Sequence, residues 1–401
     1  MRMCHCIGAR FVAGGRGALS ARGTDSSCRC HLRGSSWSSL STSQSRRCSR
    51  AMRSQYCATI FKNVSRRRIS GMLLAPIIHY RNRLYDRGVC VRSLPVPVMS
   101  VGNITTGGTG KTPMVIALAQ MLTAWGWRVA IISRGYRRKS RGIVVVSDGR
   151  GLRASIAESG DEPALIAERV PAAIVVAARQ RYAGALRAIE RFGAEAIILD
   201  DGFQHRTVAR QVDVAMVDRA SLDPTNELLP FGTLREPRRS LRRANVLCAV
   251  GVEADRVRPF ARAGALILRG EVALDGWYSL DGGRSVNPSG SVIGLCGIAH
   301  PERFRSTIER AGDMQLAAFL SKRDHYWYTR ADVEHVIAAA QRVSARWVLT
   351  TEKDAVKLRQ YAAEFRSAGC EVGVARISLR LTPPDKQWLE VMLFNFRKRC
   401  R

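Results

Sequence analysis

The stretch from Val98 to Thr112 reads VMSVGNITTGGTGKT and decides the fold. A short β-rich segment leads into a glycine-rich turn that ends in Lys111 and Thr112, and an apolar, helix-like run follows. Strand, glycine loop and helix in this order are what a phosphate-binding P-loop requires, because glycines let backbone N–H groups point at an anion beside a helix N-terminus. Lys111 would reach the β- and γ-phosphates of a nucleotide, and the Thr112 hydroxyl would hold Mg²⁺.

The loop departs from the usual pattern G-x-x-x-x-G-K-[ST], because the first glycine of that pattern falls on Thr105. The nearest glycines are Gly102 and Gly107, so we predict a variant loop. A glycine-rich hairpin is the alternative interpretation. The position of Gly-Lys-Thr between a predicted strand and a predicted helix favours the phosphate loop.

Strands and helices alternate after the loop, which predicts an α/β fold with a mostly parallel sheet and helices on both faces. We expect a P-loop domain over residues 71–261, a β-ribbon linker over residues 262–288 and a smaller second α/β domain over residues 289–401. The linker is predicted from short β-like pieces at residues 265–268 and 277–280. Ligands of such sheets bind beyond the carboxyl ends of the strands.

An acidic pair lies where that rule places chemistry. The apolar strand Ala196 to Leu199 ends in Asp200 and Asp201, within the run DDGFQH. A carboxylate after a buried strand is the usual second holder of Mg²⁺ in a P-loop protein. The alternative is that the pair only caps a helix or forms a turn. The phosphate loop favours the metal.

Two further polar residues are candidates for proton transfer. Asp161 opens a helix in the run GDEP, and spacing alone favours a helix N-cap. A phosphoryl-transfer enzyme also needs a carboxylate that accepts the proton of the attacking hydroxyl, which is the functional alternative. His325 lies in a polar and aromatic loop after a predicted strand, where such domains present functional groups.

The first seventy residues hold thirteen Arg and one Lys against the single acid Asp25, a net charge of +13 of the chain's +31. The segment is rich in Ser and Arg and shows no sustained apolar period, so we predict no folded domain there. It resembles an organellar transit peptide, or translation starts downstream at Met52 or Met72 rather than at Met1. Both interpretations exclude residues 1–70 from the fold.

The rest of the chain carries a net charge of +18, which favours a nucleic acid, an anionic membrane surface or a phosphorylated substrate as partner. Residues 73–87 predict an amphipathic helix whose apolar stripe is rimmed by Arg and Tyr. Such a helix suits a membrane interface, or it packs on its own domain. No apolar run reaches the 18 or more residues of a membrane span, so we expect a soluble or peripheral protein.

Seven motifs together resemble one family. They are SVGNITTGGTGKTP, SRGYRR, SGDEPALIA, ILDDGFQHR, NELLPFGTLREP, RDHYWYT and TTEKDAVKL, and they run in the family's order over roughly residues 72 to 395. The chain resembles the tetraacyldisaccharide 4′-kinases, the lipid A 4′-kinases of Gram-negative bacteria. The resemblance implies Mg²⁺-assisted transfer of the γ-phosphate of ATP to the 4′-hydroxyl of a tetraacyl glucosamine disaccharide 1-phosphate, giving lipid IVA. It also implies two α/β/α domains joined by a β-ribbon.

The resemblance implies a role for each residue that matches a family motif. Asp161 would accept the proton, which reverses the cap interpretation, and His325 would orient it across the cleft between the domains. The implied sets are ATP binding by Thr105, Thr106, Gly107, Gly108, Thr109, Gly110, Lys111 and Thr112, metal binding by Thr112, Asp200 and Asp201, catalysis by Asp161, His325 and Lys111, and substrate binding by Arg134, Arg179, Glu227 and His205.

The implied partners are the acylated disaccharide 1-phosphate and an anionic membrane surface, with no nucleic acid expected. The implied location is peripheral, at the cytoplasmic face of the bacterial inner membrane. The mitochondrion is the alternative if residues 1–70 are a genuine transit peptide. Two rival functions remain: a P-loop ATPase of the partitioning or cofactor-assembly type that binds nucleic acid or a protein, and a non-catalytic membrane-surface protein. The intact Lys111, Thr112, Asp200 and Asp201 argue against the second.

Overall fold

A computed structural model describes residues 75–398, with side chains described to residue 395. The predicted N-terminal extension, residues 1–70, lies outside the described residues, and so do Leu73 and Leu74 of the predicted amphipathic helix. The described residues belong to one compact unit, Arg66–Arg401.

The described strands are β1 (Val98–Asn103), β2 (Val129–Ser133), β3 (Ile143–Asp148), β4 (Ile174–Ala178), β5 (Ala196–Asp200), β6 (Val212–Val217), β7 (Val246–Val250), β8 (Leu266–Ser279), β9 (Ser285–Val286), β10 (Gly290–Cys296), β11 (Met314–Ser321), β12 (Trp347–Thr351) and β13 (Glu371–Leu381). Strands β1, β2, β4, β5 and β6 are buried along their whole length, as expected where helices cover both faces of a parallel sheet.

The described helices are α1 (residues 75–86), α2 (Lys111–Ala124), α3 (Ile156–Ser159), α4 (Asp161–Arg169), α5 (Arg181–Phe192), α6 (Arg219–Leu222), α7 (Ala254–Val257), α8 (Pro301–Glu309), α9 (Arg330–Arg342), α10 (Glu352–Leu358), α11 (Ala362–Ser367) and α12 (Pro383–Lys398). Short 3₁₀ helices cover Arg238–Arg243, Arg258–Phe260 and Arg359–Tyr361. Local sequence explains several ends. Gly193 ends α5 in the left-handed conformation, and Thr329 and Asp332 form a capping box at the start of α9.

Within the described chain the strands form one sheet in the order β11-β10-β12-β13-β8-β7-β6-β1-β5-β2-β4-β3, with β9 beside β8. The pairs are parallel except for β3 with β4, β8 with β13 and β8 with β9. The predicted α/β fold with a mostly parallel sheet is therefore confirmed.

Helices pack on both faces of the part of the sheet formed by β1 to β7, called here the nucleotide half because it contains the predicted phosphate loop. Ile131 of β2 packs in one core cluster with Met114 of α2, whereas its neighbours Ala130 and Ile132 pack in another cluster with Ala185 of α5. Successive side chains of a strand point to opposite faces, so this alternation shows that each face has its own helical layer. The C-terminal helix α12 adds Leu389 and Leu393 to the cluster that contains Met114.

Strand β8 connects the two halves of the sheet. Its first residues pair in parallel with β7, from Leu266 to Gly270, and the strand then pairs antiparallel with β13 up to Ser279. The two short β-like pieces expected in the linker are the ends of this one strand. The proposed domain limits at residues 261 and 288 stay a prediction.

Helix α1 is attached to the body by its polar side. Arg206 donates to the Asn82 carbonyl at 3.0 Å and forms an ion pair with Asp86 at 2.6 Å. Ile77 and Tyr80 lie elsewhere on the helix with 63% and 67% of their surface exposed. No helix in residues 75–398 has the length and apolar content needed to cross a bilayer.

Candidate active site

The phosphate loop joins the buried strand β1 to helix α2. Gly107 and Gly110 take positive φ angles of 109° and 83°, a conformation that side chains rarely adopt. The Lys111 ammonium donates to the Gly107 carbonyl at 3.2 Å and to Asn103 Oδ1 at 3.3 Å. The loop is therefore folded back over its own lysine.

Asn103, the last residue of β1, holds this loop from below. Its side-chain amide donates to Thr109 Oγ1 at 2.9 Å and to Thr105 Oγ1 at 3.1 Å, and all three residues are buried. The sequence analysis missed Asn103. The available signal was a polar residue at the end of an otherwise buried strand, directly before the glycines.

A cleft of about 1220 Å³ opens above the loop and is lined by both halves of the chain. From the second half, Arg303 donates to the Gly108 carbonyl at 2.8 Å, and His300 lies close to Gly107. The predicted residues that line the cleft are Thr106, Gly107, Gly108, Thr109, Gly110, Lys111, Thr112, Arg134, Arg179, Asp200, Asp201, His205 and His325.

Three predicted residues are not among those lining the cleft in the described chain. Thr105 is fully buried beneath the loop. Asp161 lies in a small side pocket that it shares with His325. Glu227 is exposed, and its backbone carbonyl accepts the Leu234 N–H at 3.0 Å, so its assignment to substrate binding stays a prediction.

The acidic pair lies at the carboxyl end of β5, next to the loop. Asp200 accepts a hydrogen bond from Ser133 Oγ at 2.7 Å, and Asp201 binds Arg235 at 2.8 Å and faces Lys111 at 3.8 Å. Burial, followed by the negative charge of Glu162, raises the pKa of Asp200 to about 6. Burial also raises the pKa of Asp201, but Lys111 and Arg235 outweigh it, so that pKa is lowered.

The Asp161–His325 pair is assembled from residues 164 positions apart in the chain. Asp161 is the first residue of α4 and Gly160 is the N-cap, so the cap interpretation of Asp161 was wrong. The carboxylate faces His325 instead, with Oδ2 and Oδ1 at 2.7 and 3.0 Å from Nδ1. An ionised carboxylate only accepts hydrogen bonds, so Nδ1 carries a proton and donates it to Asp161.

The electrostatics of the pair follow from its burial and its neighbours. Burial raises the pKa of Asp161, but the bond to His325 and the charges of His325 and Lys357 outweigh burial and lower it. Burial lowers the pKa of His325, but the bond to Asp161 outweighs this and raises it. Opposite charges in contact thus stabilise each other's ionised form.

Two arginines that the sequence analysis did not select lie beside the acids. Arg181 is buried and donates to the carbonyls of Ala178 and Asp200 at 2.8 and 3.1 Å, and burial lowers its pKa to about 10. Arg235 binds Asp201. His205 lies on the same wall, and burial together with the charge of Arg181 lowers its pKa to about 4, so it is neutral at neutral pH.

A second contact between the halves flanks the cleft. Lys353 of α10 donates to Glu162 of α4 at 2.5 Å, and both residues line the cleft. The charge of Lys353 is the main cause of the lowered pKa of Glu162. Charged groups from two distant segments thus meet the phosphate loop in one cleft.

A phosphate cradle with a coupled acid and imidazole at the far wall has the parts needed to activate a hydroxyl against a bound nucleotide. The fold and the cleft therefore define a P-loop kinase. Residues 68–394 match the family described as Tetraacyldisaccharide-1-P 4′-kinase. The chain belongs to this family, which confirms the resemblance carried by its motifs.

Individual relatives agree with this assignment. The chain is 41% identical to the tetraacyldisaccharide 4′-kinase of Syntrophus aciditrophicus (strain SB), over 69% of this chain and 80% of the relative. It is 36% identical to the enzyme of the same name from Chlorobaculum tepidum, over 83% and 97%. It is also similar to a crystal structure of LpxK from Aquifex aeolicus in complex with ATP, with a TM-score of 0.65 and 33% identity over 81% of this chain and 96% of that one.

Proposed function

We propose that this kinase transfers the γ-phosphoryl group of ATP to the 4′-hydroxyl of a tetraacyl glucosamine disaccharide 1-phosphate, giving lipid IVA for lipid A. The observation that carries the proposal is the Asp161–His325 pair in contact at 2.7 Å beside the nucleotide cleft. The pair can take the proton that an attacking hydroxyl loses during phosphoryl transfer. The relatives' shared name supports the same acceptor.

The nucleotide phosphates are proposed to lie on residues 105–112. The positive φ angles of Gly107 and Gly110 suit a loop that turns its N–H groups toward an anion, and α2 begins directly after it. Lys111 already lies under the loop, 3.2 Å from the Gly107 carbonyl, where it would meet the β- and γ-phosphates. Its charge would then stabilise the phosphoryl group in transfer.

Mg²⁺ is proposed from the chemistry of the available donors. Thr112, Asp200 and Asp201 line one cleft and offer the hard oxygen ligands that Mg²⁺ prefers. The described residues contain no group of three or more Asp, Glu, His or Cys side chains that could bind a metal ion by themselves. Mg²⁺ usually takes one or two carboxylates together with substrate phosphates, which fits this donor set. When bound, the ion would neutralise charge on the β- and γ-phosphates.

The Asp161–His325 pair is proposed to accept the proton of the attacking hydroxyl as one unit. Asp161 supplies the negative charge, and His325 extends the pair to the wall of the cleft. For groups that interact this strongly, the proton belongs to the pair rather than to one residue. Their contact spans both halves of the chain, so a change in how the halves meet would make or break the acceptor.

The acceptor sugar is proposed to lie on the arginine-rich wall. Arg134 and Arg179 are exposed there, and Arg181 lies buried behind them. Guanidinium groups match a phosphate with paired hydrogen bonds, which suits a sugar 1-phosphate. His205, neutral at neutral pH, is proposed to support this wall without adding charge.

The acyl chains are proposed to stay in the membrane, with the enzyme attached peripherally at the cytoplasmic face of the inner membrane. The exposed Ile77 and Tyr80 of α1 offer an apolar contact, and a strongly basic chain suits anionic lipid. An interfacial helix of this kind would let the sugar enter the cleft without extracting the lipid.

The test is a transfer assay with γ-labelled ATP and tetraacyl disaccharide 1-phosphate in detergent micelles. The label is expected in the lipid, and Asp161→Ala is expected to abolish transfer with ATP affinity nearly unchanged. A parallel reaction replaces the lipid with DNA. Label released as inorganic phosphate and stimulated by DNA, with none in the lipid, would contradict the proposal and favour the rival ATPase.

A further inference from the structure

Behind the Asp161–His325 pair, Lys357, Asp354 and Gly297 complete a closed series of contacts, and these five residues are called here the charge ring. Lys357 Nζ lies 3.6 Å from Asp161 Oδ2 and 3.1 Å from Asp354 Oδ1. Asp354 Oδ2 accepts the Gly297 N–H at 2.9 Å, and the Gly297 carbonyl accepts the His325 N–H at 3.0 Å. The contact of His325 with Asp161 completes the ring.

The members of the charge ring are almost without solvent. Asp354 is 0% exposed, Lys357 2% and Asp161 5%. Asp354 Oδ2 also accepts from Thr351 Oγ1 at 2.8 Å. Among the described residues, neither Lys357 Nζ nor Asp354 Oδ1 has a hydrogen bond, so ion pairs with Asp354 and Asp161 balance the charge of the ammonium. A buried charge that loses its partner costs several kcal/mol. Each charge in the ring therefore depends on the others.

The net charge of the ring shows how Lys357 changes the proton affinity of the Asp161–His325 pair. With His325 neutral, the two aspartates and the lysine give the ring a net charge of −1, and uptake of one proton makes it neutral. Without the ammonium the ring would carry −2 and would bind a proton more tightly. A larger fraction of the acceptor would then be protonated before the hydroxyl arrives. Lys357 thus lowers the affinity of the Asp161–His325 pair for a proton.

The other side of the ring fixes the loop that carries His325. His325 has a φ of 58°, in the left-handed region, and its N–H is held by Gly297. A Cβ at Gly297 would lie 3.2 Å from both Asp354 Oδ1 and Tyr326 Cβ, so the backbone approaches closely there. Asp354 therefore holds Lys357 with one oxygen and the His325 loop with the other.

Other charged groups also face the pair. Lys353 acts on both members, but it is paired with Glu162 at 2.5 Å. Asp324 lies 3.7 Å from His325 Nε2 and is partly exposed. Lys357 differs from these because its ion pairs, to Asp161 and Asp354, both lie inside the ring.

We infer that Lys357 is a positioning residue for phosphoryl transfer, which keeps the buried Asp161–His325 pair ready to accept a proton, and that Asp354 holds both Lys357 and the His325 loop. This inference rests on the proposed role of the pair. Lys357 touches neither nucleotide nor sugar in this arrangement and acts through Asp161.

The experiment measures kcat and KM for ATP against pH in Lys357→Met, which keeps the length of the side chain. The kcat at pH 7 is expected to fall tenfold or more while KM for ATP stays within twofold. The acid limb of the kcat profile is expected to move to higher pH, because losing a cation beside Asp161 raises the pKa of the pair. The kcat should recover toward the wild-type value above the displaced limb, which a merely structural defect would not produce.

Lys322→Met is the matched control, since it removes a lysine–aspartate pair, to Asp332 at 2.7 Å, in the same half of the chain. Its profile is expected to stay in place. The double variant of Lys357→Met with Asp354→Asn removes both charges of the buried Lys357–Asp354 ion pair together, so it is expected to fold. The ring then carries −1 again, but its acid limb should remain displaced, because the cation removed lies 3.6 Å from Asp161 Oδ2 and lowers its pKa, whereas Asp354 is not among the groups that shift it.

An unmoved acid limb in the folded variants would overturn the inference. Failure of both variants to fold would do the same, because a structural role alone explains it. Asp161→Ala and His325→Ala are measured alongside. Full activity in these would contradict the proposed acceptor pair, whereas loss of activity there with no effect of Lys357→Met would contradict only the inference.

Discussion

Replacing Asn103 by alanine tests whether the phosphate loop is held in place from below. The change removes two donated hydrogen bonds, to Thr105 and Thr109, and the acceptor of one bond from Lys111. The backbone of β1 and the glycines is left intact. We expect the loop to lose its fixed shape while the sheet persists.

The magnitude follows from the kind of bonds lost. A neutral hydrogen bond contributes about 0.5–1.5 kcal/mol and one to a charged group about 1.5–3 kcal/mol, so the three together hold the loop by about 2.5–6 kcal/mol. If half of that free energy is needed to order the loop again around ATP, about 1.3–3 kcal/mol, the affinity for ATP falls by roughly tenfold to a hundredfold, since 1.4 kcal/mol corresponds to a factor of ten. The ammonium of Lys111 keeps its contact with the Gly107 carbonyl.

The assay is calorimetric titration with ATP, together with steady-state KM and kcat in the lipid reaction. Asn245→Ala is the matched control, because it removes one hydrogen bond between Asn245 Oδ1 and the Asp213 N–H in the same sheet. The control is expected to lower Tm and leave ATP affinity unchanged. Asn103→Ala with wild-type affinity for ATP and normal Tm would refute the reasoning, because the loop would then be held by its backbone alone.

Lys111→Ala is expected to weaken ATP binding and kcat together, measured by titration and initial rates, and an effect on one alone would contradict its double role. His325→Asn is expected to lower kcat by about 10² to 10⁴, the usual contribution of a general base, with little change in KM for ATP. In the wild type, kcat is expected to fall as pH drops through the raised pKa of His325, so an acid limb below the ordinary value of 6.5 would contradict the pairing with Asp161. Ile77→Ser with Tyr80→Ser is expected to reduce binding to anionic vesicles and to raise KM for micellar lipid, with KM for ATP unaffected; equal vesicle binding would exclude α1 as the contact.

Local order along the chain was enough to predict the nucleotide half. The order of a β-rich run, three glycines, Lys111 and an apolar helix predicts a phosphate loop between a strand and a helix. The apolar strand before Asp200 then predicts that the two acids lie at the same edge of the sheet as the loop. The motif at Asp161 was ambiguous, because an aspartate at a helix start reads as a cap until its neighbour in space is known. The structure supplied that neighbour, His325.

Contacts between distant segments could not be predicted from local pattern. Arg181 was not selected from the sequence, and only its burial beside Asp200 distinguishes it from the exposed Arg179. Lys357 was not selected from the sequence either, yet it is 2% exposed. The long strand β8 was read as two pieces, since Gly and Asp in its middle predict a turn.

Leu389 and Leu393 of α12 make the nucleotide half depend on a segment that the ribosome synthesises long after the phosphate loop. Their core cluster also contains Met114 and Leu118 of α2, the helix that the loop leads into. Burying one such leucine stabilises a fold by about 1.5–3 kcal/mol. A nascent chain that ends at residue 382 contains every side chain that lines the cleft but lacks the two leucines that complete the core cluster of α2. Complete folding of the core under the phosphate loop therefore requires α12. Truncation after β13 is expected to make α2 the first helix that proteases cleave.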